Sequence, residues 1–115
     1  MAQFLLLLHH DPSGFRKLSS AEQQAAFAKY RAWRDKGHKA GFVLGGHKLT
    51  DDGGKILRGD KVVVSDGPYS ETKEMLGGYF MIEAANYDEA LRLSRDHPHL
   101  AFGGTIELRQ IEPTP

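Results

Sequence analysis

An α+β sandwich is the fold class this sequence predicts, and three observations predict it. The apolar run Phe4-Leu5-Leu6-Leu7-Leu8 stops at His9-His10-Asp11-Pro12, as expected of a central strand covered on both faces. A long amphipathic helical pattern and a shorter one follow, separated by short β-branched or aromatic runs. The resulting order is strand, long helix, two or three strands, shorter helix, strand. Two right-handed crossover helices between strands of one sheet make a ferredoxin-like sandwich.

Each element has its own signal. Ser19 precedes Glu22 by the spacing of a capping box, and Ala26, Tyr30, Trp33 and Gly37 recur at helical spacing. Gln23, Lys29, Arg34 and Lys36 fill the polar positions, and the helix is expected to end near Gly41. Phe42-Val43-Leu44 opens a second strand that runs into Gly45-Gly46-His47, and Asp51-Asp52-Gly53-Gly54 signals a turn. Lys61 to Ser65, centred on Val62-Val63-Val64, reads as a short strand. Tyr79 to Ala84 reads as another, followed by a helix with Asn86 and Glu89 at cap spacing and Pro98 closing it. In the last strand, Thr105 to Ile111, Ile106 and Leu108 should face the helices while Glu107 and Arg109 share the other face.

With both helices on one face, the two-sided apolar first strand predicts that the second face is also covered, most simply by the sheet of a second copy. A homodimer is therefore expected. The chain reads as one domain over residues 1–112 with a tail at 113–115.

Composition narrows the functional classes. Fifteen basic residues balance fifteen acidic ones, so no overall field attracts nucleic acid or an anionic membrane. No cysteine is present, which removes disulfides, thiolate metal sites and a cysteine nucleophile. The longest apolar run falls far short of the roughly 20 residues needed to cross a bilayer, and it lacks the basic flank and small-residue cleavage site of a signal peptide. A cytoplasmic protein is expected.

Candidate chemistry concentrates in two places. Asp66-Gly67-Pro68 forms a rigid turn, after which Tyr69 is suited to stack on or hydrogen-bond a ligand, Glu71 to take a proton and Lys73 to hold an anion. The plainer reading of the same loop is a solvated connection. His9 and His10 lie where a central strand runs out, and imidazole exchanges protons near neutral pH, with Asp11 close enough in sequence to orient one ring. Strand alternation puts the two on opposite faces without saying which meets the cleft.

His47 follows a Gly-Gly pair at another strand end and is a ligand-binding candidate. Arg109 is a carboxylate clamp if its face lines a cleft; otherwise Glu107 and Arg109 form structural ion pairs. His97-Pro98-His99 is not a helical histidine pair and no His-Glu-x-x-His occurs, so no metal is expected. His97 reads instead as a favourable charge near a helix C-terminus, as does His38. The glycine pairs lack the Gly-Lys-Ser/Thr ending of a phosphate loop and no nucleophile elbow is present, so no cofactor and no serine hydrolase chemistry are expected.

The run Asp66-Gly67-Pro68-Tyr69-Ser70-Glu71-Thr72-Lys73-Glu74, followed by Leu76-Gly77-Gly78-Tyr79, resembles the signature of the YCII-related family in its DGPF-motif branch. Tyr69 stands where phenylalanine is usual. Gly45-Gly46 with Leu49, and Gly103-Gly104-Thr105-Ile106-Glu107-Leu108-Arg109, extend the resemblance over nearly the whole chain. It implies a ferredoxin-like dimeric α/β barrel, sigma-factor association in some relatives, and a dehydrochlorinase of a chlorinated hydroxyquinol in a related branch.

In the shorter YCII branch a helix histidine with an aspartate is the suggested catalytic pair. Here the middle of that helix reads Phe27-Ala28-Lys29-Tyr30-Arg31 and holds no histidine. Catalysis would then fall to His9, His10, Asp66 or Glu71, with Tyr69, Lys73, His47 and Arg109 as ligand contacts. The expected function is lyase or isomerase proton transfer on a small polar or aromatic compound. A noncatalytic binding or regulatory module linked to sigma-factor signalling is the alternative.

Overall fold

The apolar opening run becomes β1 (Ala2–His10), an inner strand paired on both sides. After it the computed structural model, which describes residues 1–69 and 73–114, has α1 (Pro12–Arg16), α2 (Ser20–Lys39), β2 (Val43–Lys48), β3 (Lys55–Arg58) and β4 (Val63–Asp66). The chain continues through β5 (Met75–Ala84), α3 (Tyr87–Ser94), α4 (Pro98–Ala101) and β6 (Thr105–Gln110). The main sheet runs β2-β5-β1-β6 and is antiparallel throughout. With the β3–β4 pair set aside as its own small sheet, this is the ferredoxin-like strand order that the element order implies.

Alternation along β1 sorts the two faces. Phe4, Leu6 and Leu8 are buried and join Val43, Phe80, Ile82 and Ala84 of the neighbouring strands beneath Trp33 and Ala90 of the helices. Leu5 and Leu7 point the other way and are only half-buried. The last strand follows suit, with Leu108 and Ile106 opposite Leu6 and Leu8, and Arg109 and Glu107 opposite Leu5 and Leu7.

Helix α2 begins with the expected capping box, in which the Glu22 N–H donates to Ser19 Oγ and the Ser19 N–H donates to Glu22 Oε1. Trp33 seats it: the indole N–H donates to Asp96 Oδ1 at 3.1 Å, and the ring meets Phe80 edge-on at 5.2 Å. At Gly37 any Cβ would overlap the Val43 side chain, so glycine is what lets the helix approach β2 closely.

Three local expectations are corrected. Lys61 to Ser65 is not a lone strand but contains part of β4, which pairs with β3 from Lys55 opposite Asp66 to Arg58 opposite Val63. With two apolar residues in Lys-Ile-Leu-Arg, β3 is too short for alternation to reveal. Pro98 does not close the preceding helix, which ends at Ser94; it opens α4, where the fixed proline φ suits a first helical turn. Asp11-Pro12 likewise starts α1, with Asp11 accepting from the Ser13 N–H at 3.0 Å rather than orienting a histidine.

The β3–β4 pair is apolar yet open, with Leu57 and Val63 each 65% exposed. A two-stranded hairpin is marginal in water by itself. Among the described residues no helix is long and apolar enough to cross a membrane.

Candidate functional site

A β-bulge sets up the site. Leu8 pairs with Gly78, but His9 pairs with Leu76, so Gly77 of β5 is an extra residue without a partner on β1. Glycine there leaves room for the His10 imidazole, which a Cβ would overlap. His10 lines a cavity of about 250 Å³ between the sheet and the first two helices. Its Nε2 is buried without a hydrogen bond among the described residues, the Asp51 carboxylate lying 3.6 Å away.

One face of α2 contributes to the rest of the lining. Phe27, Tyr30, Arg31 and Arg34 recur at helical spacing and all border the cavity. Phe27 stacks obliquely on Phe15 of α1 at 5.1 Å between ring centroids, and Leu8 and Phe80 close the apolar floor. Gly46, His47 and Lys48 contribute from β2. At the inner wall Tyr30 Oη is 2.8 Å from His99 Nδ1, while His99 Nε2 is 2.8 Å from the His9 carbonyl. A carbonyl only accepts, so His99 carries its proton on Nε2 and Nδ1 accepts from the tyrosine hydroxyl.

Burial holds His99 below the ordinary histidine range and pushes the Tyr30 phenol up to about 12, which keeps the pair neutral. A Cβ at Gly104 would overlap the His99 ring, so this imidazole too is accommodated by a glycine. Behind His10, Phe15, Tyr30 and His99 lies a second cavity of about 430 Å³, bordered by Asp11 and Glu74.

Among the described residues His97 is the deepest titratable group, 2% exposed and packed against Trp33 at 4.4 Å between centroids. Desolvation, with the neighbouring His99, lowers its pKa from 6.5 to about 4. It is therefore neutral, not the helix-terminal charge its sequence position suggests. Its Nδ1 accepts from the His99 N–H at 3.0 Å, capping α4 and helping to fix the His99 backbone.

The residues singled out in the sequence separate into groups. His10 and His47 line the cavity. His9 points to the opposite face, where its Nε2 is 3.0 Å from Glu107 Oε1, and Arg109 donates to the other carboxylate oxygen at 3.2 Å. Hydrogen bonds from His9 and then Arg109 hold the Glu107 carboxyl below its ordinary range. Asp66 pairs with Lys55 on the hairpin, and Tyr69 is 78% exposed with its ring 5.7 Å from the Arg58 guanidinium. Lys73 is exposed and close enough to Asp11 to contribute to lowering that carboxyl's pKa, an effect led by the Ser13 N–H. Glu71 lies outside the described residues.

Phe15, Phe27, Tyr30, Arg31 and His99 were not among those candidates. The spacing of Phe27, Tyr30, Arg31 and Arg34 was the signal for most of them; His99 had none, since the fold alone brings it to Tyr30.

Comparison with known proteins gives the cavity a lineage. The family model described as the YCII-related domain matches residues 2–115. The chain belongs to the YCII-related family. This YCII-related chain is 50% identical over 36 residues to an uncharacterized protein, R00369, of Rhizobium meliloti (strain 1021). That match covers 31% of the chain and 29% of the relative's length. Among solved structures it resembles the 5-chloro-2-hydroxyhydroquinone dehydrochlorinase TftG from Burkholderia phenoliruptrix AC1100, in complex with 2,5-dihydroxybenzoquinone. The likeness has a TM-score of 0.55 at 14% identity and covers 99% of this chain and 96% of the other, which establishes a shared fold.

Proposed function

We propose that this YCII-related protein is a lyase or isomerase for a small aromatic or polar compound, with His10 moving the proton. The observation that carries the reading is the His10 Nε2 atom: buried, without a hydrogen-bond partner among the described residues, and bordering a largely apolar cavity. As a base the imidazole takes a proton from substrate carbon. The C–H electron pair then forms a new double bond, and in the lyase case the leaving group departs with its bonding pair. Tyr30 offers its oxygen as an acceptor to a substrate hydroxyl while its own O–H donates to His99 Nδ1.

The dehydrochlorinase with a one-ring quinone in the structurally similar protein supports the same class of chemistry here. Placement in the DGPF-motif branch belongs to this proposal and rests on the run Asp66 to Glu74. So does a homodimer closing the open sheet face, supported by the half-buried Leu5, Leu7, Tyr79 and Met81 and by the exposed apolar hairpin.

The test is solvent deuterium uptake into a panel of hydroxylated one-ring compounds, followed by NMR in wild type and His10→Asn. The wild type is expected to exchange carbon-bound hydrogen and the variant to lose about 100-fold or more in rate while still binding. Undiminished exchange in His10→Asn contradicts the assignment. Binding without exchange in the wild type makes the protein a binding module instead.

A further inference from the structure

We infer that the ligand of this cavity is a one-ring aromatic compound bearing an anionic group, and that Arg31 holds the anion. The inference rests on the cavity being the ligand site, as proposed above. An apolar cavity of roughly 150 Å³ takes a bare benzene ring. At about 250 Å³ this one takes a single ring with substituents.

The charge of the lining is one-sided. Arg31, Arg34 and Lys48 border the cavity and, among the described residues, no aspartate or glutamate does, although the chain as a whole is neutral. The adjoining cavity has the reverse character, with Asp11 and Glu74. An anion is thus directed to one side of the wall formed by His10, Tyr30 and His99.

Two of the three cations are already engaged. Arg34 donates to Asp35 at 3.2 Å, and Lys48 donates to the Leu49 carbonyl at 2.8 Å and to Asp51 at 3.4 Å. Arg31 makes no hydrogen bond or ion pair among the described residues. It sits one helical turn beyond Phe27, a spacing whose Cβ atoms are about 5–6 Å apart, so a ring lying on Phe27 presents a substituent to the neighbouring guanidinium. A planar guanidinium recognises a carboxylate or phenolate through paired N–H donors.

The experiment is calorimetric titration of wild type, Arg31→Ala and Arg31→Lys with 4-hydroxybenzoate and its neutral isostere 4-hydroxybenzamide. The wild type is expected to bind the acid about tenfold or more tightly than the amide. That preference should vanish in Arg31→Ala, return in part in Arg31→Lys and weaken with added salt. Equal binding of acid and amide by the wild type, or an unchanged preference in Arg31→Ala, overturns the inference, and His10-dependent exchange would still uphold the chemical reading. Failure of both rings to bind overturns the inference together with the ligand site. An Arg31-dependent preference without exchange in any variant upholds the inference and removes the lyase or isomerase reading alone.

Discussion

Tyr30 Oη donates to His99 Nδ1 across 2.8 Å, joining two residues 69 positions apart in the chain into the inner wall of the cavity. The contact fixes the protonation of both. With the His99 Nε2 proton committed to the His9 carbonyl, the imidazole has a single acceptor site, and the tyrosine fills it.

Tyr30→Phe should therefore do more than remove a cavity hydroxyl. It leaves a buried imidazole nitrogen without its donor, a loss of about 1–3 kcal/mol in folding free energy. Urea unfolding measures this, and turnover in the same variant should fall although His10 is untouched.

Two glycines make opposite predictions from the same geometry. Gly77→Ala places a methyl against the ring of His10, whose Nε2 makes no hydrogen bond among the described residues and which can swing toward the cavity. Stability should be nearly kept and activity lost. Gly104→Ala meets the ring of His99, which is held by two hydrogen bonds and has nowhere to go, so it should lose about 1–3 kcal/mol of stability. Denaturant melts alongside ligand titrations separate the two outcomes.

His97 makes stability sensitive to mild acid. Its folded pKa, about 4, lies below the 6.5 of an unburied histidine, so the unfolded chain binds more protons between those values. Stability is then full above pH 6.5 and falls by about 3 kcal/mol by pH 4. His99 is shifted in the same direction and adds to the slope. His97→Asn keeps an acceptor for the His99 N–H but does not titrate, so its melting temperature should vary less across this window.

Much of the fold was legible because its signals are local. The Phe4 to Leu8 run, the Ser19–Glu22 box and the Asn86 cap each specify an element within a few residues, and β1, α2 and α3 form where those signals stand. What stayed hidden depends on contacts across the chain. The bulge at Gly77 that accommodates His10 lies on a neighbouring strand, and His99 reaches Tyr30 only after α4 packs against α2. Reading Tyr30 into one stripe with Ala26, Trp33 and Gly37 masked the cavity face that it shares with Phe27, Arg31 and Arg34. The Asp66 to Tyr69 turn was conspicuous in composition, yet composition marks a turn without saying what lies beside it, and Tyr69 is turned to solvent.

The open sheet face makes its own prediction. Leu7 sits there between Tyr79 and Glu107, half-buried in the single chain. Light scattering at micromolar concentration should find the mass of a dimer for the wild type and of a monomer for Leu7→Glu, because a carboxylate in an apolar interface is desolvated without a partner. A monomeric wild type contradicts the proposed dimer.

The central claim is that chemistry belongs to His10 in the cavity and not to His9 on the opposite face. Side-chain histidine NMR during titration with 4-hydroxybenzoate tests it most directly. Saturable shifts of the His10 ring resonances, with those of His9 unchanged, are the predicted result. Shifts confined to His9, with His10 unmoved at saturation, would contradict it.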